Sequence, residues 1–147
     1  MNIRKVNQLL SVSGPLTQDE LKQLARSGVK SLVNCRPDNE EPGQVPDAVL
    51  RIQASNAGLN YYFVPVKSGD YSPQAVAEFG HILLSAPEPV HAMCRTGTRV
   101  VHLWALAKLV QGVAVADIIQ TGKNIGVALE TVITEYQSCF QKSLDVH

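Results

Sequence analysis

The sequence lacks an excess of charge of either sign, and this absence limits the partners it can have. Its 147 residues include 13 Lys+Arg and 13 Asp+Glu, so the formal net charge at pH 7 is zero. A neutral chain has no overall field that would attract nucleic acid or an anionic membrane, so neither is an expected partner. A ligand must therefore be recognised by a local cluster of charge.

Long apolar runs and a cysteine framework are also missing. The most apolar stretch, residues 100–110, is interrupted by a histidine and a lysine and is shorter than the roughly 18 residues of a membrane span. Residues 1–10 lack the apolar core of about 7–15 residues that a signal peptide has. The cysteines are odd in number and widely spaced, at Cys35, Cys94 and Cys139. We therefore expect a cytoplasmic protein with free thiols.

The composition is that of a globular domain. Hydrophobic residues make up 45% of the chain and charged residues 18%, which excludes wholesale disorder. A chain of this length can build a core without metals or disulfides, so residues 1–147 are expected to form a single domain.

Strand-like and helix-like segments alternate along the chain. The predicted strands cover residues 8–13, 29–35, 59–66 and 90–93. Two predicted helices begin after the N-caps Thr17 and Ser72. Four more are predicted over residues 47–57, 99–111, 115–124 and 127–142. This alternation predicts an α/β fold, with a mostly parallel sheet of four to five strands and helices on both faces. In such a sheet, ligands bind at the carboxyl ends of the strands.

The loop at residues 94–99, with the sequence CRTGTR, carries the chemistry. It precedes a strongly apolar helix, whose first amides are unpaired and aligned toward the loop. Cys94 lies at the base of these amides, where positive potential favours the nucleophilic thiolate. Arg99 can grip two oxygens of an anion with its planar guanidinium. The loop therefore predicts a thiolate nucleophile beside a site for the anionic group that it attacks.

The remaining residues of this loop are predicted to complete the anion site. Gly97 allows a curled backbone that approaches the ligand closely. Thr96 and Thr98 can add hydroxyl donors. The side chain of Arg95 either contacts the ligand or faces solvent, with only its amide in the site.

Residues 90–99, VHAMCRTGTR, resemble the active-site loops of two families. One is the cysteine-dependent phosphatases, and the other is the rhodanese-like sulfurtransferases, which often carry Cys-Arg-x-Gly-x-Arg. The wider pattern resembles the bacterial beta-lactamase-hydrolase-like phosphatase domain. The segments that carry this wider resemblance are LSVSGPL at 10–16, VNCRPDNEEP at 33–42, YFVPV at 62–66 and LWALA at 103–107. It implies a fold like that of protein tyrosine and dual-specificity phosphatases, and a phosphatase that needs no metal or organic cofactor.

The loop departs from the usual phosphatase signature, which has five residues between Cys and Arg. Cys94 and Arg99 enclose four, which is the length of the sulfurtransferase loop. Met93 stands where phosphatases usually have histidine, with His91 three residues before the cysteine, and Val100 replaces a common hydroxyl residue. Two alternatives therefore remain: a rhodanese-like sulfurtransferase with a persulfide on Cys94, and a catalytically weak anion-binding regulatory module.

A phosphatase of this type also needs a general acid, and Asp70 is the candidate. It lies in the loop at residues 67–71, a placement that resembles the acid loop of dual-specificity phosphatases, and Gly69 would let this loop move. Asp38 and Glu41, after the second predicted strand, are alternatives. Because sulfur transfer needs no such acid, a role for Asp70 would discriminate between the two chemistries.

Other residues whose side chains could take part in catalysis or metal binding are expected to have structural roles. Cys35 is interpreted as a buried residue at a strand end, with a disulfide to Cys94 on oxidation as the alternative. His91 is expected to pack in the core, and it lacks the further ligands that a zinc site would need. The acidic residues Asp38, Glu40 and Glu41 are expected to form a solvated loop.

The neutral net charge is the sum of two separate regions. Four acids lie within residues 38–47, whereas residues 89–116 contain no acid and three basic residues. The basic region surrounds Cys94, so the expected partner is a small anionic group, either a phosphomonoester or a sulfane sulfur donor.

Overall fold

One sheet forms the centre of the structure, a computed structural model that describes residues 2–141. Its strands are β1 (Arg4–Lys5), β2 (Leu10–Ser13), β3 (Ser31–Asn34), β4 (Asn60–Phe63) and β5 (Val90–Met93). Their order is β1-β2-β5-β3-β4, and all pairs are parallel except β1 with β2. The α/β fold and mostly parallel sheet are therefore confirmed. Strand β1 was not predicted, because two residues carry no periodic pattern.

Helices cover both faces of this sheet. They are α1 (Gln18–Arg26), α2 (Asp47–Asn56), α3 (Pro73–Ser85), α4 (Thr98–Val110), α5 (Val115–Asn124) and α6 (Glu130–Tyr136). One π-helical turn, Gln137–Gln141, follows α6. The helix predicted over 127–142 is therefore shorter at its start, and Lys142 lies outside the described residues. Among residues 2–141, no helix is long and apolar enough to cross a membrane.

Local sequence signals fix the helix ends. Thr17 forms the predicted capping box with Glu20, in which each residue bonds the backbone N–H of the other. Ser72 accepts the N–H of Ala75, and Pro73 occupies the first helical position. These side chains satisfy amides that the first helical turn leaves unpaired.

Alternate residues along the strands divide the core in two. In β3, Leu32 packs against helices α1 and α2, whereas Val33 packs in the larger cluster with α3 to α6. Because side chains of a buried parallel strand point to opposite faces in turn, β3, β4 and β5 each contribute to both clusters. Strand β5 lies between β2 and β3, so the loop that follows it is enclosed on both sides.

Candidate active site

The cysteine loop (residues 94–99) begins at the carboxyl end of this central strand. Cys94 is only 1% exposed, and its N–H donates to the carbonyl of Ser13 at 3.2 Å. The amide of Gly97 donates to the Sγ atom of Cys94 at 3.1 Å. The backbone of the loop therefore fixes the position of the buried Cys94 sulfur at the N-terminus of α4.

Gly97 provides the backbone turn that makes this contact possible. It is the N-cap of α4 and has a φ of +91°, in the left-handed region. A Cβ atom at this position would lie 3.2 Å from Nη2 of Arg4 and 3.4 Å from Cα of Ser13. Both the backbone conformation and the available space therefore favour glycine.

One end of the Arg99 guanidinium is hydrogen-bonded to the protein, and the other end is accessible to a ligand. Its Nη1 donates to Oε2 of Glu40 and to the carbonyl of Val66, each at 2.9 Å. These two bonds use both hydrogens of Nη1. The Nε and Nη2 groups have no partner among residues 2–141 and are not sealed from solvent. Arg99 can therefore present a rigid two-donor fork to an anion.

An acidic pair orients the basic residues around the cysteine loop. Glu40 bridges Arg99 and Arg36, with its Oε1 accepting from Nε of Arg36 at 3.2 Å. Oε2 of Glu41 lies 3.0 Å from Nη2 of Arg36 in an ion pair that is not aligned as a hydrogen bond. Oε1 of Glu41 lies 2.8 Å from Nε of Arg95. The prediction of a solvated acidic loop is therefore wrong for Glu40, whose side chain is only 20% exposed.

The two threonines of the loop are contacted by Arg4, a residue that the sequence did not suggest. Nη1 of Arg4 donates to the carbonyl of Ile125 at 3.2 Å. Its Nη2 reaches the Thr96 carbonyl and the Thr98 hydroxyl, each at 3.5 Å. Arg4 thus connects the outer side of the cysteine loop to the segment between α5 and α6. The Arg95 side chain is 62% exposed and faces Glu41.

Asp70 lies in a different setting, on an exposed turn after β4. Its N–H donates to the Lys67 carbonyl at 3.0 Å, and Gly69 has a φ of +78°. The carboxylate has no partner in the part of the chain that the structure describes. Val66, directly before this turn, is the residue whose carbonyl binds Arg99. The acid candidate therefore shares an edge of the sheet with the cysteine loop.

The neighbouring Tyr71 connects that turn to helix α4. Its hydroxyl lies 3.1 Å from Nδ1 of His102, and burial raises the pKa of Tyr71 to about 12. Burial lowers the pKa of His102. Asp70 and His102 line a cavity of about 330 Å³.

The two alternative acids are engaged elsewhere. Oδ1 of Asp38 accepts the N–H of Asp47 at 2.7 Å, at the start of α2. Glu41 is paired with Arg36 and Arg95. Asp70 is thus the candidate whose carboxylate is available to a ligand.

Cys35 lies beside the candidate nucleophile as a free thiol. Asn34 and Met93 are register partners in β3 and β5, so Cys35 and Cys94 follow at the same level of the sheet. Burial raises the pKa of Cys35 strongly, and the nearby Cys94 raises it further. Both cysteines are unpaired in the structure. Within residues 2–141, no group of three or more metal-ligating side chains is assembled.

Long-range side-chain partners are what the sequence interpretation missed. Glu40 and Arg4 lie far from the cysteine loop in the sequence. They contact it because the order of the strands brings these segments together. One signal for Glu40 was present. The segments 38–47 and 89–116 are complementary in charge, and their charged residues follow the carboxyl ends of the adjacent strands β3 and β5.

Comparisons with known proteins agree with this architecture. A family model described as "Beta-lactamase hydrolase-like protein, phosphatase-like domain" matches residues 2–111. A beta-lactamase hydrolase-like protein of Xylella fastidiosa is 35% identical over 112 residues, which are 76% of this chain and 26% of that protein. The chain thus spans about a quarter of the length of this curated relative.

Solved structures show the same fold. A candidate phosphatase from Neisseria meningitidis is 32% identical, with a TM-score of 0.80 over 94% of this chain and 98% of that one. A kinase-associated phosphatase with its catalytic-site cysteine substituted by serine has a TM-score of 0.75 at 14% identity, over 94% of this chain and 88% of that one. The matched family is described as phosphatase-like, and these neighbours show that the chain has a protein tyrosine and dual-specificity phosphatase-like fold. The chain belongs to the family of the beta-lactamase hydrolase-like protein, phosphatase-like domain.

Proposed function

We propose that the chain is a cysteine-dependent phosphatase acting on a phosphomonoester. The main observation behind the proposal is that the Nε and Nη2 groups of Arg99 are available to a ligand in the same loop as the buried sulfur of Cys94. In this arrangement a bound phosphoryl group contacts the guanidinium while its phosphorus faces the thiolate. The donors are fixed before the ligand arrives, so little reorganisation is needed as charge develops.

The reaction has two steps at the same phosphorus atom. The thiolate of Cys94 attacks, an S–P bond forms, and the ester P–O bond breaks while Asp70 donates a proton to the leaving oxygen. Water then attacks the cysteinyl phosphate, Asp70 takes its proton, and the S–P bond breaks to release phosphate and the thiolate. Throughout, Arg99 and the loop amides, with Arg95, Thr96, Gly97 and Thr98, stabilise the charge on the equatorial oxygens.

Sulfur transfer is the second candidate, because the cysteine loop has four residues between Cys94 and Arg99. In that reaction the Cys94 thiolate attacks the sulfane sulfur of a donor such as thiosulfate. An S–S bond forms on Cys94, sulfite leaves, and a thiol acceptor then removes the sulfur from the persulfide. The same amides and Arg99 would bind the anionic donor, and no group is needed in the position of Asp70.

Parallel assays with two substrates test the proposal. We expect phosphate release from an aryl phosphate by the wild-type protein and its loss in Cys94→Ser. Cys139→Ser, which changes an exposed cysteine, is the matched control and should keep the rate. No phosphate release over a broad panel of phosphomonoesters, together with Cys94-dependent sulfur transfer from thiosulfate, would replace the phosphatase by the second candidate.

A further inference from the structure

His91 is a buried histidine that the proposed mechanism does not use, and both of its ring nitrogens are engaged. It lies opposite Ser11 in the register of β2 with β5 and is fully buried. Nδ1 is 2.7 Å from the hydroxyl of Ser11, and Nε2 is 2.8 Å from the hydroxyl of Ser13. Burial lowers the pKa of His91 to about 4, so the ring is neutral at pH 7 and has one N–H.

The Ser13 hydroxyl indicates which nitrogen carries that proton. It donates to the carbonyl of Gly14 at 2.7 Å, and a hydroxyl has a single proton to donate. Its oxygen therefore accepts from the Nε2–H group of His91, while Nδ1 accepts from the hydroxyl of Ser11. The hydrogen bonds run in one direction, from Ser11 through His91 and Ser13 to Gly14.

The cysteine loop is built directly against the end of this hydrogen-bonded chain. The Ser13 carbonyl accepts the N–H of Cys94 at 3.2 Å. A Cβ atom on Gly14 would lie 2.8 Å from the carbonyl oxygen of Arg95, and one on Gly97 would lie 3.4 Å from Cα of Ser13. A rotation of the Ser13 and Gly14 backbone would therefore displace the loop.

We propose that His91 is a positioning residue that holds the turn at Ser13 and Gly14, and through it the cysteine loop, in the geometry that binds the anion. The inference rests on the proposed function, because it assigns His91 to the same site. His91 acts only through Ser13, since both ring nitrogens are already bonded. Met93, directly before Cys94, lies on the same face of the sheet as His91 and packs in the smaller core cluster.

The two serines provide a matched pair of variants. Ser11→Ala and Ser13→Ala each remove one hydroxyl from His91, but only Ser13→Ala removes the bond to Gly14. We expect Ser13→Ala to slow the alkylation of Cys94 by iodoacetamide at pH 6 about tenfold, and Ser11→Ala to change it less than about twofold. Rates measured across a pH range show whether the thiolate fraction has changed, and urea unfolding reports the stability of each variant.

His91 itself is tested by a conservative and a non-polar variant. His91→Gln keeps groups that can bond the serines and should retain most of the alkylation rate. His91→Phe keeps the ring volume without these groups and should slow alkylation at least as much as Ser13→Ala. If His91→Phe does not fold, the two serine variants decide the question.

Amide exchange in the same variants separates this inference from the proposed function. Ser13→Ala should speed exchange of the amides at residues 95–97 by about tenfold relative to Ser11→Ala, because local opening of the loop becomes easier. Equal effects of the two serine variants on exchange would overturn the positioning role. If exchange differs as expected but wild-type Cys94 is alkylated no faster than Cys139, the thiolate nucleophile of the proposed function fails and the positioning role stands.

Discussion

The two loops that carry the candidate catalytic groups are held very differently by the fold. The cysteine loop (residues 94–99) follows the central strand, and its Cys94 and Arg99 are both buried. The acid loop (residues 67–71) follows the strand at the edge, and its Asp70 is exposed, with no partner for the carboxylate among the described residues. The side chains of Cys94 and Arg99 are therefore part of the core, whereas Asp70 lies on the surface.

This difference suggests that the two loops have different roles in catalysis. Donors that stabilise developing charge are most effective when they are fixed beforehand, as the groups around Cys94 are. A residue that gives and takes a proton needs to reach different oxygens in successive steps, and an exposed turn at Gly69 permits such movement. If the two loops have separate roles, substitutions can disable each of them independently.

Arg99→Lys should have the largest effect, because it disrupts the fixed loop. Lysine is a single point of charge and cannot hold Glu40 and the Val66 carbonyl while presenting a planar fork. We expect kcat/KM for an aryl phosphate to fall by about 10²–10³, the usual loss on removing a charge-stabilising donor. Arg95→Lys, which changes an exposed side chain, should cost far less; equal losses would show that the fixed geometry of Arg99 is unimportant.

Asp70→Asn should slow phosphate release by about 10², within the range of general acid catalysis, without affecting the cysteine loop. The alkylation rate of Cys94 should therefore stay at the wild-type value in this variant. Asp38→Asn, at the alternative acid, serves as the control. If Asp70→Asn also slowed alkylation, the two loops would not be independent, and if it left phosphate release unchanged, Asp70 would have no part in the mechanism.

Glu40→Gln should lower kcat/KM by about tenfold, because the hydrogen bond that orients Arg99 loses its anionic acceptor. Glu41→Gln changes a more exposed ion pair and should alter the rate less than about twofold. Steady-state kinetics of the two variants with the same aryl phosphate make the comparison. A faster Glu40→Gln variant would mean that the Glu40 carboxylate competes with the substrate for Arg99.

The smallest expected effect is a pH dependence of stability that comes from the support of the cysteine loop. The folded pKa of His91 is about 4, below its ordinary value of 6.5, so the unfolded chain binds more protons between these values. The free energy of unfolding therefore decreases as the pH falls, by about 1 kcal/mol between about pH 7.5 and about pH 5.5. Urea unfolding of wild-type protein and His91→Gln at both pH values measures this difference. If His91→Gln lost as much stability as the wild type between the two pH values, the pH dependence would not come from His91.

Local patterns were enough to predict the elements that hold the candidate catalytic residues. A short apolar strand, the loop CRTGTR and an apolar helix placed Cys94 and Arg99 correctly, because these features depend on neighbouring residues. The partners of these residues could not be predicted in the same way. Glu40 lies 59 residues from Arg99, and Ser13 lies 78 residues from His91. These pairs form only because β5 is placed between β2 and β3, an order that no local pattern encodes.

Trapping the covalent intermediate tests the central claim most directly. An aryl phosphate turnover is quenched in acid, and the peptide containing Cys94 is analysed by mass spectrometry. We predict one phosphoryl group on Cys94 in the wild-type protein and none in Cys94→Ser, with a parallel sample exposed to thiosulfate as the comparison. The account would be contradicted if Cys94 stayed unmodified while phosphate is released and if Cys94→Ser still released phosphate.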